Sequence, residues 1–212
     1  MGRCVADLVD AINRDHAGDE PGIRVVGVVD DGHPDPGLWQ DRGVDLLGPV
    51  AALASMDPDV EFVIAIASPR VRQALDQLLS PGGRRSPVLV HPNVHLGFDV
   101  QLGPGSLVCS HVSMENHIRV GRHVHINQNS TVGHDTVIAD HVTLSPLSAV
   151  SGAVLLEETA FVGTGASINQ GLTIGRGATV GAGAAVISDV APQSTVVGVP
   201  ARPVHGGGHG GT

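Results

Sequence analysis

The sequence has no tyrosine and no lysine, and aromatic residues make up only 2% of its 212 positions. A core stapled by large rings is thereby excluded, and the interior has to be built from small and branched aliphatic side chains. All twelve basic residues are arginine; they stand against 21 acidic ones, giving a formal net charge of −9, and they form no cluster. Nucleic acid and anionic membrane are poor partners for such a chain. Two cysteines, Cys4 and Cys109, supply neither a disulfide framework nor a metal-ligand spacing. No apolar run reaches the roughly 18 residues of a membrane span and no signal peptide opens the chain, so a reduced, cytoplasmic protein is expected. Charged residues are few, at 16%, but hydrophobic ones reach 42%, which excludes both a disordered chain and a coiled coil.

Glycine is plentiful, with 29 residues, and the chain divides near residue 92. Residues 1–91 read as a small α/β unit. Val5, Leu8, Val9 and Ile12 fall at helical spacing and predict a helix over Arg3–Arg14. Two near-continuous apolar runs, Ile23–Val29 and Val60–Ala67, predict buried parallel strands. Val50–Met56 and Pro69–Leu79 predict helices, the second with Pro in its first turn, and Pro87–Val90 predicts a last short strand.

Residues 92–204 carry a six-residue period. Every sixth residue from Leu96 to Val186 is apolar, sixteen in succession, with Val108, Ile126, Leu144, Val162 and Val180 among them. At roughly 45% apolar usage, chance gives such a run on the order of a few times in a million. Glycine often follows the apolar residue, as at Gly97, Gly103, Gly121, Gly133 and Gly163, and a small or β-branched residue commonly stands two before it. A hexad with one large apolar residue predicts a β-solenoid with short strands stacked at about 4.8 Å. The narrow tube explains the shortage of aromatics.

Particular strings go beyond the repeat: Asn127 through His134-Asp135, Ser145-Pro146 with Ser151-Gly152, the ending Gly177–Arg202 with its GVPAR, and, in the first half, Val28–Asp31 and His91-Pro92. Together they resemble the sugar O- and N-acetyltransferases of the NeuD/PglD type, over nearly the whole chain. The resemblance implies a nucleotide-fold α/β subdomain (1–91), here a truncated parallel βαβ unit, and a left-handed parallel β-helix of hexapeptide repeats (92–204). Three hexads would make each 18-residue coil, and a disordered Gly/His tail (205–212) would follow.

The resemblance also implies chemistry. His134 matches the general base that deprotonates the sugar amine or hydroxyl attacking acetyl-CoA, a task suited to an imidazole near neutral pH. Asp135 matches the acidic residue that raises its basicity, and Asn127 lies near the acceptor. Asp30 and Asp31 resemble the nucleotide-sugar contacts. Acetyl-CoA is expected near Gly152, Thr164 and Ala182, with Arg202 at its phosphates; Thr143 stands where the family has a second histidine by the thioester. If coils are 18 residues long, Gly152 neighbours His134 and its N–H can meet a developing oxyanion, while His123 stacks below His141. The remaining histidines, His111, His117, His123, His125 and His141, are expected as solvated turn residues. No metal is expected, and a homotrimer with the CoA site between adjacent β-helices is.

Two other functional classes bear on the same fold. A β-helix carbonic anhydrase would need a histidine pair five apart and a third 36 residues upstream; no two histidines are five apart, and residue 98 is Phe98. A non-catalytic β-helix scaffold remains open on fold alone. A doubly wound unit normally begins with a strand and a Gly-rich turn before its first helix. Here the helix comes without them; either about 10–12 further residues upstream supply the strand and turn, the favoured expectation, or the domain is a remnant with weak nucleotide binding.

Overall fold

The computed structural model describes residues 2–15, 22–32, 34–35 and 37–204; the tail 205–212, for which the sequence suggests disorder, lies outside the described residues. From Leu89 onward the chain winds a three-sided parallel β-helix. Strands of two or three residues alternate with corners, and each pairs with the strand 18 residues on: Thr131 with Ala149, Val137 with Leu155, Thr143 with Phe161. Face I has eight strands, from Leu89–Val90 to Arg202–Pro203; face II has six, from His95–Leu96 to Ala185–Val186; face III has five, from Val100–Leu102 to Thr173–Ile174.

The hexad residues form the inner columns. Every sixth residue from Val108 to Val186 is at most 6% exposed, whereas Leu96, on the open first coil, is 39% exposed. Burial of each such Val, Leu or Ile stabilises the tube by about 1.5–3 kcal/mol. The small residues two positions earlier sit beneath the corners. Ser106, Ser130 and Thr136 are buried there, and their hydroxyls bind the corner carbonyls of Gly121, Ser145 and Ser151.

A second period lies in the backbone. Every sixth residue from Asp99 to Gly183 adopts a left-handed conformation with positive φ. Gly, Asn, Asp and His enter that region most readily. That requirement accounts for four histidines at once, His111, His117, His123 and His141, which occupy corners.

The N-terminal residues cover the start of face I. Helix α1 (Gly2–Asp15) packs Leu8, Val9 and Ile12 against Leu89 and Leu107. The short α2 (Gly37–Gln40) buries Trp39, and the following Arg42 binds Asp7 and Asp10 of α1. The two long strands expected here do not form as such. Only Val28–Val29 pairs, with a parallel strand Leu46–Gly48 that the apolar pattern did not single out. Residues 60–67 form no strand; Phe62 and Ile64 instead pack with Leu53, and Phe62 N–H reaches the Arg85 carbonyl at 3.1 Å. A continuous apolar run reports burial, not which neighbour pairs with it. Val50–Ser55 is a 3-10 helix rather than an α-helix. The strand expected over 87–90 belongs to the β-helix, because Leu89–Val90 pairs with Leu107–Val108; the β-helix therefore starts before residue 92.

Helix α3 (Pro69–Leu79), where the spacing predicts it, docks on face I through a polar stripe: Pro69, Arg72 and Asp76 are its buried residues. Arg72 is fully buried and donates to the carbonyls of Ile66, His123, His141 and Val142 and to the Thr143 hydroxyl at 2.7–3.1 Å. Asp76 receives Arg122 through two bonds of 2.6 and 2.7 Å, with His141 Nε2 at 2.8 Å and the Ser80 hydroxyl at 2.5 Å. Burial by itself would raise the Asp76 pKa. The hydrogen bonds from Arg122, Ser80 and His141 and the nearby His123 outweigh it and hold the carboxylate below its ordinary range.

Candidate active site

The corner between faces II and III carries the chemistry-bearing cluster. The chain leaves strand Thr131–Val132, turns at Gly133-His134-Asp135 and enters Val137–Ile138. The left-handed conformation of Asp135, at φ 57°, aims its carboxylate back at the preceding imidazole. Asp135 Oδ2 lies 2.7 Å from His134 Nδ1. That contact fixes the ring proton on Nδ1 and leaves Nε2 with its lone pair. The hydrogen bond to Asp135, followed by the charges of Asp135 and Glu115, raises the His134 pKa above that of an ordinary histidine. Both side chains face solvent, at 45% and 58% exposed.

One coil on, the same corner is Ser151-Gly152-Ala153. A β-carbon at Gly152 would lie 2.6 Å from His134 Nε2, so the imidazole rests on the glycine backbone. Ala153 N–H donates to the His134 carbonyl at 2.7 Å, which locks the two rungs together. The Gly152 N–H has no acceptor among the described residues. One coil back, the Glu115 carboxylate accepts the His134 main-chain N–H at 2.9 Å. The sequence reading did not single out Glu115; its spacing of 19 residues before His134 is the signal that coil arithmetic offers.

The other expected site residues distribute differently. Asn127, Thr164 and Ala182 stand on the corner between faces I and II, as the ladder Leu147 N–H to Gln128, Gly165 N–H to Pro146 and Gly183 N–H to Thr164 requires. The turn leading to Arg202 closes the same edge, with Ala201 N–H on the Ala185 carbonyl at 2.7 Å. Asn127 is 7% exposed and donates to the Leu144 carbonyl at 2.7 Å. Arg202 is exposed, with one N–H on the Ala201 carbonyl.

Thr143 lies in the middle of face I, covered by α3 and 1% exposed. Its hydroxyl accepts from Arg72 at 2.8 Å and donates to the Ala67 carbonyl at 3.1 Å, so the role expected beside CoA is corrected to one in docking α3. Asp30 and Asp31 are exposed, and each spends one oxygen on the backbone: Asp30 on Gly32 N–H, Asp31 on Val50 N–H at the start of the 3-10 helix. His123, His125 and His141, expected as solvated, are buried under α3 and its neighbours; the rings of His123 and His141 stack in parallel 6.0 Å apart. Among the described residues no three His, Cys, Asp or Glu are grouped to hold a metal ion, and no helix is long and apolar enough to cross a membrane.

The chain matches no protein-family model and no curated protein. Solved structures do match it along nearly its whole length. WeeI from Acinetobacter baumannii is 31% identical, with 94% of each chain covered and a TM-score of 0.80. The acetyltransferase domain of PglB from Neisseria gonorrhoeae, in complex with acetyl coenzyme A, is 28% identical over 96% of this chain and 94% of that one, at TM-score 0.84. PerB from Caulobacter crescentus, in complex with CoA and GDP-perosamine, is 28% identical over 95% and 93%, at TM-score 0.84.

Proposed function

Because this chain belongs to the NeuD/PglD-type sugar acetyltransferases of the hexapeptide-repeat, left-handed β-helix superfamily, we propose that it carries the acetyl group of acetyl-CoA directly to an amino or hydroxyl group of a sugar or nucleotide-sugar, with His134 as general base. One observation supports the assignment of the base above the rest: His134 has Nδ1 tied to Asp135 and Nε2 laid against the backbone of Gly152. Nε2 takes the proton of the acceptor as it attacks the thioester carbonyl. The new N–C or O–C bond forms, the C–S bond breaks, and the imidazolium returns the proton to the departing thiolate. The free Gly152 N–H stands where it can stabilise the negative oxygen of the tetrahedral intermediate.

The site residues lie on two different edges of one prism, which are a whole face apart. A hexad spans six residues, at most roughly 20 Å. His134, Asp135 and Gly152 stand on one edge and Asn127 on another, which favours a ligand held between two chains over one held within a single chain. A second copy brings its own Asn127, Thr164, Ala182 and Arg202 edge alongside, and closed three-fold packing does so for every site. We therefore read the protein as a cytoplasmic homotrimer, with acetyl-CoA in the grooves between β-helices and Arg202 near its phosphates. Residues 1–91 would hold the nucleotide end of the acceptor, with the second carboxylate oxygens of Asp30 and Asp31 available to it.

The test is acetyl-CoA consumption over a panel of nucleotide-amino-sugars and sialic acids, for the natural chain and His134→Ala. Turnover should fall by at least ~10²-fold in the variant, with CoA binding kept. Near-normal turnover would remove His134 from the role of base; His123 and His141, buried beneath α3, could not replace it.

A further inference from the structure

In the β-helix ladder, the last residue of each corner donates to a main-chain carbonyl one coil back, as Asp135 does to Asn116 and Gly177 to Glu158. The middle residue meets no such carbonyl. At three corners a carboxylate from a neighbouring coil takes its N–H instead: Asp140 for Arg122 at 2.9 Å, Glu157 for Arg176 at 2.6 Å and Glu115 for His134 at 2.9 Å. Two of these caps belong to corners that bear an arginine, whose guanidinium is engaged by another carboxylate, Asp76 for Arg122 and Glu158 for Arg176. Only at Glu115 does the capped residue carry the imidazole that rests on Gly152.

We propose that Glu115 is a positioning residue for the His134 base: its carboxylate clamps the main chain of that corner and lays a second negative charge beside the imidazole. The inference rests on the assignment of His134 as base. The geometry of the corner leaves the imidazole few other constraints. Its ring is 45% exposed, and it is held by Asp135 from one side and by the Gly152 backbone from beneath. The His134 N–H, 2.9 Å from the Glu115 carboxylate, fixes the peptide from which that ring projects. A shift of about 1 Å in a reacting group can cost on the order of 10²-fold in rate.

The charge acts as well as the contact. Asp135 and Glu115 are the two acidic groups bound to this residue, one at its ring and one at its N–H. Farther down the edge, His117 and Arg119 are both engaged by Asp99, at 3.2 and 2.6 Å, so the guanidinium charge is answered locally. Gly152 and Ala153 above are neutral. Glu115 therefore favours the protonated imidazole, the form that His134 takes while it holds the acceptor's proton.

The titration arm of the experiment needs no knowledge of the acceptor. In the full chain labelled with 13C-histidine, the His134 Cε1–H signal, identified by its loss in His134→Ala, is titrated with pH. Glu115→Gln keeps an acceptor for the N–H but removes the charge, and its midpoint should move to lower pH. Glu115→Ala should move it likewise and, on the acceptor that the panel identifies, lower turnover by about 10-fold more than Glu115→Gln. Glu157→Gln, which alters a cap of the same form at a corner without the base, should leave the His134 midpoint and turnover unchanged. Melting temperature and CoA affinity are measured alongside, and a loss of either in Glu115→Gln would assign Glu115 to folding and overturn the proposal. It is equally overturned if the Glu115 variants titrate like the natural chain, or if Glu157→Gln shifts His134 as much. The reading of the base itself fails separately, through retained turnover in His134→Ala.

Discussion

At Gly152 the identity of one residue is dictated by another side chain 18 positions away. Its φ imposes no special demand; what it lacks is a β-carbon, which would lie 2.6 Å from Nε2 and 2.8 Å from Cε1 of His134. Gly152→Ala should therefore leave the coil intact, since Ala is at ease in strand-flanking backbone, but tilt the imidazole off the corner. Turnover is expected to drop by roughly 10- to 100-fold, with the melting temperature within a few degrees of the natural chain. Steady-state kinetics beside a melting curve checks this; normal turnover would mean that the imidazole does not work from its observed position. The pair was legible before the fold was known, because the coil length places residue 152 on residue 134. Glu115 was less so: its spacing of 19 residues points to the His134 corner, but a cap can also come from the coil on the other side, as Asp140 does for Arg122.

Helix α3 stands where the spacing predicts a helix, yet the face it buries is polar. Its apolar residues Val71 and Leu78 are 47% and 66% exposed, while Arg72 and Asp76 face the β-helix. Buried ions are tolerated only where hydrogen bonds replace water, and here the corner carbonyls of His123 and His141 and the side chain of Arg122 do so. The same interface makes stability depend on pH. Burial lowers the His123 pKa to about 4, and burial also pushes His125 well below the usual range. The unfolded chain, with histidines near 6.5, takes up protons first. Stability is therefore complete above about pH 6.5 and lost as pH falls toward about 4. The melting temperature should fall through that window. In a His123→Asn, His125→Leu double variant, chosen because Asn accepts the left-handed corner and Leu the strand, the slope should flatten. An unchanged slope would assign the acid sensitivity to other groups.

For the whole molecule, the decisive feature is that the candidate site residues stand on two edges of one prism. In the proposed trimer a neighbour's edge completes the site, so activity and assembly should rise and fall together. Light scattering at micromolar concentration should give three times the 21.6 kDa chain mass. A stable monomer would sink both the assembly and the shared site. Dilution into the dissociating range should abolish turnover without unfolding the coils, whose cores are closed within each chain.

The hexad determined a β-solenoid: one apolar residue in six, sustained from Leu96 to Val186, can be buried throughout only by a chain that turns a corner in every hexad and stacks coil on coil. That three hexads make one coil, and hence that His134 and Gly152 would touch, was implied by the resemblance, since equal coils put equal offsets together. The histidine-rich corners were open to the same reading, because positive φ favours His, Asn, Asp and Gly. Tertiary structure alone decided what covers face I. Whether an arginine on a helix seeks water or a row of carbonyls depends on what lies opposite, and that partner is 51 to 70 residues away for Arg72. It also decided the fate of Thr143, whose hydroxyl is spent on α3, and of the apolar run 60–67, which packs against Leu53 and α3 instead of pairing as a strand.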